Sequence, residues 1–159
     1  MAFPPHRDDI STLSRIVDAH ALNLAYQLAS HIKAPVPPLT IAQFETYYVN
    51  PHAPMHLLLA LNDGRVVGMI SWALTHELYS ADTRVYISDV SVDSGARGQG
   101  VGAALMDQVK AWARGQNASK WSRKCWHRNF GAKAFYAKLG ASIDSEAIPY
   151  VLSLEDEFA

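Results

Sequence analysis

The sequence predicts an α/β domain of the α+β kind, with a mixed, mostly antiparallel sheet flanked by helices. Three observations predict it. Three short apolar stretches between His56 and Val92 are separated by turn signals. After Gly102 the apolar spacing changes from a strand period to a helical one. A glycine-rich segment, Arg97 to Gly102, stands at that change. A chain of 159 residues suffices for one domain with its own core. Residues 1–159 therefore read as a single unit, with its motifs within 55–140.

The elements follow in order. Ile10, Leu13, Val17, Leu24 and Leu28 recur at helical spacing and predict an amphipathic helix from about Asp9 to Ser30. Pro35, Pro37 and Pro38 break the chain. A short helix is expected from Thr40 to about Val49, ahead of Pro51 and Pro54. His56 to Leu61 reads as a buried strand, Asn62-Asp63-Gly64 as a hairpin turn, and Arg65 to Thr75 as the return strand. A loop at Tyr79 to Asp82 leads to a third strand, Arg84 to Val92. Val101, Leu105, Val109 and Trp112 form a helical stripe that Gly115 stops. Trp121 to Trp126 is expected to be another strand, its tryptophans packed in or beside the sheet. Asn129 is suited to cap a helix with an apolar face of Ala132, Phe135, Tyr136 and Leu139, ended by Gly140. Ile143 and Ile148 to Leu154 are expected to supply one or two final strands.

Composition narrows the class. Hydrophobic residues make up 49% and charged residues 18% of the chain, as in soluble globular domains. No apolar run reaches the roughly 18 residues of a membrane span. Met1 to Asp9 lacks the basic-then-apolar order of a secretory signal. The single cysteine, Cys125, excludes an intrachain disulfide, and the cytoplasm is the expected compartment. The net charge is −1, yet no acidic residue lies between Asp107 and Asp144, a stretch holding Lys110, Arg114, Lys120, Arg123, Lys124, Arg128, Lys133 and Lys138. Such a field suits an anionic ligand, or is a solvated basic face.

The segment Arg97-Gly98-Gln99-Gly100-Val101-Gly102 sits between a strand and a helix. The first amides of a helix lack intrahelical partners, and the helix dipole adds positive charge there. Glycine lets backbone approach an anion closely. A phosphate group fits such a junction. The Gly-Lys-Ser/Thr ending of a P-loop is missing, since Ala103-Ala104 follows Gly102. The spacing is G-x-G-x-G, not the G-x-G-x-x-G of dinucleotide folds, and no acid stands near Ser119.

The run from Val92 through Met106 resembles the signature of the GNAT superfamily of N-acetyltransferases, whose core is Arg/Gln-x-x-Gly-x-Gly/Ala. A second motif, Asn129 through Gly140, is similar to the superfamily's Asn-x-x-Ala-x-x-Phe-Tyr segment, with Ala141 where a phenylalanine is usual. The resemblance extends from about Leu57 to Leu139. It implies a sheet splayed around acetyl-coenzyme A, with Arg97, Gly98, Gln99, Gly100, Val101, Gly102 and Ala103 at the pyrophosphate. It implies that Val90, Ser91 and Val92 pair with the pantetheine arm, and that Asn129, Phe135, Tyr136 and Lys138 line the cofactor. It also implies Tyr136 as general acid, although Tyr136 also fits the helix's apolar stripe.

Tyr86-Ile87-Ser88-Asp89-Val90-Ser91-Val92 resembles the Tyr-x-Glu-Asp-x-x-Val strand of the polyamine and histone acetylating branch. Ser88 replaces the glutamate often invoked as base. Asp89 is then the candidate base, through a water and Ser88, with a structural carboxylate, a substrate anchor and a water chain as competing readings. Trp72, His76, Glu77, Tyr79, Asp82, Asp89 and the first helix are candidates for the acceptor site, where the acids would favour a cationic amine.

No metal is expected. His52 and His56 are separated by Pro54, and neither H-E-x-x-H nor C-x-x-C occurs. Cys125 has no identifiable partner as a nucleophile. The family's usual first strand is reduced or replaced at Met1 to Pro5, leaving either a short strand or an edge covered by a second subunit; a homodimer is expected. The leading function is acetyl transfer to a primary amine, polyamine-like or aminoglycoside-like, by direct attack in a ternary complex. The alternatives are a protein lysine or N-terminal acetyltransferase and a catalytically silent acyl-coenzyme A sensor. Neither a nucleic acid nor a membrane is an expected partner.

Overall fold

The computed structural model describes residues 2–3, 10–30 and 39–152. Its elements are strand β1 (Ala2–Phe3), helices α1 (Ile10–Ser30) and α2 (Ile41–Phe44), strands β2 (His56–Asn62), β3 (Arg65–Glu77) and β4 (Asp82–Val92), helix α3 (Val101–Gly115), strand β5 (Lys120–Ser122) and helix α4 (Phe130–Lys138). A π-helical turn, Glu45–Val49, extends α2, and a 3₁₀ turn, Ser94–Ala96, precedes α3. The five strands lie in sequence order, antiparallel except for the parallel pair β4–β5. The predicted mixed, mostly antiparallel sheet is therefore present. The reduced first strand is β1, whose Ala2 and Phe3 pair with Ala60 and Leu59.

Local chemistry accounts for the boundaries. Thr40 and Gln43 form a reciprocal capping box at the start of α2. Asn129 caps α4, its side chain accepting from the Ala132 amide at 3.0 Å. Asp63 and Gly64 take positive φ in the β2–β3 turn. Alternation along β2 divides the core. Leu58 joins Ile70, Val85, Ile87, Leu105, Met106 and Val109 on the α3 face. Leu57 and Leu59 join Ile16, Ala19, Phe44, Val66 and Met69 on the face of α1 and α2. Each large aliphatic side chain so buried contributes about 1.5–3 kcal/mol.

Several expectations are corrected. The strand expected over Trp121 to Trp126 is confined to Lys120–Ser122, and Cys125 and Trp126 lie beyond it. The pairing stops at Tyr86↔Ser122, just before β4 bulges. Ser71 pairs with Asp89 and Trp72 with Ile87, so Ser88 is the extra residue. No strand follows α4 among the described residues. Ile143, Ile148 and Val151 are 83%, 73% and 87% exposed; a β-branched composition needs a partner strand, and Pro149 removes one ladder donor. In α1 the sheet-facing residues are Ile16 and Ala19, and Val17 is exposed. Asp9, the Pro35, Pro37 and Pro38 break, and Leu154 fall outside the described residues.

Candidate active site

The site forms where β4 and β5 part. Beyond Tyr86 the β5 side of β4 has no strand partner among the described residues, so Val90 to Val92 form a strand end without a partner strand, met at the Val92 carbonyl by the Arg97 side chain. Arg123, just past β5, spans the gap instead, its Nη1 donating to the Ser88 carbonyl at 2.8 Å.

The glycine segment adjoins this opening. Asp93 holds the turn after β4, its Oδ1 accepting from the Gly95 amide at 3.0 Å, and Gln99 Nε2 donates to the Gly95 carbonyl. Gly98 and Gly100 have φ of 75° and 83°, a left-handed conformation that side chains disfavour. A Cβ at either would meet nothing within 4 Å, so the backbone there faces open space. Gly100 is the N-cap of α3 and supplies no capping side chain. The first-turn amides, with the positive end of the helix dipole, are thus left for an external acceptor. Gly102 has a different neighbour: a Cβ there would lie 3.2 Å from the Phe135 ring. Its role includes letting α4 seat against α3. Val101 is half-buried on the α3 core, and Ala103 is half-buried beside it.

Arg97 folds back, donating from Nε to the Val92 carbonyl at 3.1 Å. Its guanidinium lies 5.6 Å from the centre of the Tyr26 ring. The Tyr26 hydroxyl accepts from Asn129 Nδ2 at 2.7 Å. Ser91 is buried and donates to Asn23 Oδ1 at 2.6 Å. Tyr136 packs between Phe135 and Trp121, with the Arg123 guanidinium 5.7 Å over its ring. Burial pushes the Tyr136 phenol up to about 12, against the opposing influence of Arg123. The hydroxyl is therefore a protonated donor throughout the neutral range.

Asp89 stands on the face toward α1 and α2. Its Oδ2 accepts from Ser88 Oγ at 2.9 Å and from Ser71 Oγ at 3.4 Å. Tyr48, on the π-helical turn, comes close enough that burial first, and then the Asp89 charge, push its hydroxyl above the ordinary phenol range; Ser71 partly offsets this. His20 of α1 also senses Asp89. Burial depresses its imidazole, and the Asp89 charge partly opposes the depression. The Leu39 amide donates to His20 Nε2 at 3.2 Å, a bond that needs that nitrogen unprotonated.

The structure thus gathers Ser88, Asp89, Val90, Ser91, Val92, Arg97, the glycine segment, Asn129 and Tyr136 about one opening. Lys138 is exposed at the end of α4 away from Asn129, roughly 13 Å along the helix. Trp72 is buried on the α3 face, stacked with His56 and packed edge-on to Trp112. Glu77, Tyr79 and Asp82 lie at the tip of the β3–β4 hairpin, and Glu77 and Asp82 both pair with Arg84. Asp82 is roughly 20 Å along β4 from Asp89. These four therefore do not join Asp89 in this chain. Sequence reasoning pointed to the first helix without naming His20, Asn23 or Tyr26, counted Arg123 only in the basic stretch, and passed over Tyr48 and Ser71. The polar run His20, Asn23, Tyr26 at three-residue spacing was a usable signal, since it marks one helix face.

Comparison with known proteins bears on this geometry. The sequence profile of the acetyltransferase (GNAT) family matches residues 22–141. The chain belongs to that family. It is accordingly an acyltransferase. No curated protein sequence matches it significantly. Its fold is similar to an aminoglycoside acetyltransferase from an uncultured soil metagenomic sample, with TM-score 0.78 at 16% identity, covering 98% of this chain and 96% of that one. It is similar to a probable acetyltransferase, with TM-score 0.76 at 20% identity, covering 98% and 99%. It is also similar to a ribosomal-protein-alanine N-acetyltransferase from Brucella melitensis biovar Abortus 2308, with TM-score 0.69 at 18% identity, covering 97% and 99%. At these identities the likeness establishes the GNAT fold. No helix among the described residues is long and apolar enough to cross a membrane.

Proposed function

We infer that this GNAT protein is an N-acetyltransferase that takes its acetyl group from acetyl-coenzyme A and passes it to a primary amine in a ternary complex. The observation that carries the reading is the open junction at Gly98 and Gly100, set beside a strand end without a partner strand and the Asp89 carboxylate. Residues that fit coenzyme A are present: unclaimed first-turn amides for a diphosphate, the Val90–Val92 edge for an extended amide-bearing arm, and Arg97 and Asn129 beside it. When bound, acetyl-coenzyme A supplies an acetyl group activated as a thioester.

The chain's own groups do the rest. The backbone near Val90 offers hydrogen bonds where negative charge develops. Tyr136 keeps its proton at Oη at neutral pH, as a donor to a departing group must. Asp89 Oδ2 attracts a cationic amine and is placed to accept its proton, directly or by way of Ser88 Oγ. Ser71 and Tyr48 confine that carboxylate. The Asp89 carboxylate suits a cationic amine, and an aminoglycoside acetyltransferase among the similar folds supports a small polyamine-like or aminoglycoside-like acceptor. The reading extends to a homodimer, for which the exposed apolar residues Ile143, Ile148 and Val151 are the support, and to the cytoplasm, for which the single cysteine is the support; sedimentation velocity tests the dimer.

The deciding experiment is titration with coenzyme A, followed by thiol release from acetyl-coenzyme A with spermidine and sisomicin as acceptors. Saturable binding and amine-dependent thiol release are expected. Binding without turnover on any amine would favour an acyl-coenzyme A sensor, and absence of binding would end the reading.

A further inference from the structure

We propose that Tyr26, on α1, is a positioning residue that orients Asn129 and Arg97 toward the arm of the bound cofactor. The inference rests on the reading of this site as a coenzyme A site. Tyr26 belongs to neither motif, yet it touches one residue of each. Its ring lies under the Arg97 guanidinium, which borders the glycine segment. Its hydroxyl accepts from Asn129 Nδ2, at the start of α4.

The hydrogen-bond inventory shows what this arrangement achieves. Asn129 Oδ1 accepts from the Ala132 amide, and Nδ2 donates to Tyr26. Both ends of the carboxamide are therefore assigned and its orientation is fixed. The second Nδ2 hydrogen has no partner among the described residues, and neither does the proton of the Tyr26 hydroxyl. Two donors thus stand 2.7 Å apart at the mouth of the β4–β5 opening, with the Tyr136 phenol near enough to feel Tyr26 electrostatically. An extended arm bearing amide carbonyls is the ligand chemistry that the second Asn129 Nδ2 hydrogen, held in place by Tyr26, fits. The position of Tyr26 is fixed in turn by its helix. His20, Asn23 and Tyr26 lie on one face of α1 at three-residue spacing, and Asn23 is tied to Ser91 of β4. The ring beneath Arg97 also supplies a cation–π contact that keeps the guanidinium over the strand end.

The test is a double-mutant cycle read by calorimetric titration with coenzyme A. Tyr26→Phe keeps the ring under Arg97 and removes only the hydroxyl. Its Kd for coenzyme A should rise about 3- to 10-fold, the scale of one lost hydrogen bond. Asn129→Ala should weaken binding comparably or more. The double variant should be no weaker than Asn129→Ala alone, because the two side chains act as one unit. Tyr26→Ala, which also removes the ring, should bind more weakly than Tyr26→Phe. A residue that only stabilised the fold would lower the melting temperature and leave Kd in place. An unmoved or tightened Kd in Tyr26→Phe, or losses that simply add in the double variant, would overturn the inference while wild-type binding stood. If the wild-type protein took up no coenzyme A, the parent reading would fall and this one with it.

Discussion

The two faces of the sheet are built from the same strands and differ in what they bury. The α3 face is closed by Ile70, Val85, Ile87, Leu105, Met106 and Val109, all nearly fully buried and aliphatic or thioether. The α1 face begins in the same way, with Ile16, Ala19, Leu57, Leu59 and Met69. Toward the end of β4 it turns polar: Ser71 and Ser91 are buried there, beside Asp89, Tyr48, His20 and Asn23. Buried polar groups cost free energy unless they are hydrogen-bonded, and here Ser71 donates to Asp89 and Ser91 to Asn23, so this face depends on keeping those bonds where its counterpart depends on packing. The Ser88 bulge reinforces the difference, because it breaks the ladder next to Asp89 and keeps that carboxylate on the face of Ser71. The comparison teaches that the α3 face is built for packing, and that the α1 face carries the buried polar groups on which the proposed acceptor chemistry rests. The two should separate under mutation.

The largest expected effect lies on α4, at the opening between β4 and β5. Tyr136→Phe should lower kcat by roughly 10²- to 10⁴-fold with little change in the Kd for coenzyme A, measured by thiol release and calorimetry. An unchanged rate would remove the phenol from the mechanism. The counterpart on the aliphatic face is Leu105→Ala. It should destabilise the protein by about 2–5 kcal/mol in chemical denaturation, while the kcat of the molecules that remain folded stays near wild type. A Leu105→Ala protein that melted normally but turned over slowly would break the division.

The aliphatic face was legible in the sequence and the chemical face only in part. Val101, Leu105, Val109 and Trp112 repeat at a helical period because nothing but packing selects them, and α3 follows that stripe. The glycine junction was legible for a related reason: positive φ and open space at Gly98 and Gly100 admit few other residues. In α1 the apolar period pointed to Val17, yet Ile16 and Ala19 face the sheet. The rest of that face is occupied by His20, Asn23 and Tyr26, which interrupt the apolar pattern and hydrogen-bond to Leu39, Ser91 and Asn129. Tyr48 and Ser71 were illegible for a different reason. They reach Asp89 only through tertiary placement of the π-helical turn and the β3 register. Trp72 failed because alternation puts it on the opposite face from Ser71, and the Ser88 bulge keeps Asp89 with Ser71.

A smaller effect sharpens the role of the carboxylate. Asp89→Asn should reduce kcat/KM for a cationic amine by about 10²-fold if Asp89 takes the amine's proton. Ser88→Ala, which removes the 2.9 Å bond to Oδ2, should cost less, about 3- to 10-fold. If Asp89 only anchors the acceptor, the loss should instead appear in KM and shrink as ionic strength rises.

The smallest effect is one of pH, and it tests whether the polar face contributes a titration that the aliphatic face cannot. The His20 imidazole is depressed below its ordinary value, by burial first and with Asp89 opposing. The unfolded chain therefore binds a proton at a pH where the folded chain does not. Folding stability must then rise with pH across that window. The contribution of His20 is fully present above about pH 6.5, where both states are neutral, and is lost as pH falls through the lower native value. Protonation would also end the bond that Nε2 accepts from the Leu39 amide. Thermal melts at pH 7.5 and 5.5 should show a drop for wild type that is smaller in His20→Gln, whose amide oxygen can still accept from Leu39. In Asp89→Asn the field that partly supports the imidazolium is gone, so the loss should extend to lower pH than in wild type. A wild-type drop that His20→Gln reproduced in full would assign the acid sensitivity to other groups and leave the polar face without its own proton switch.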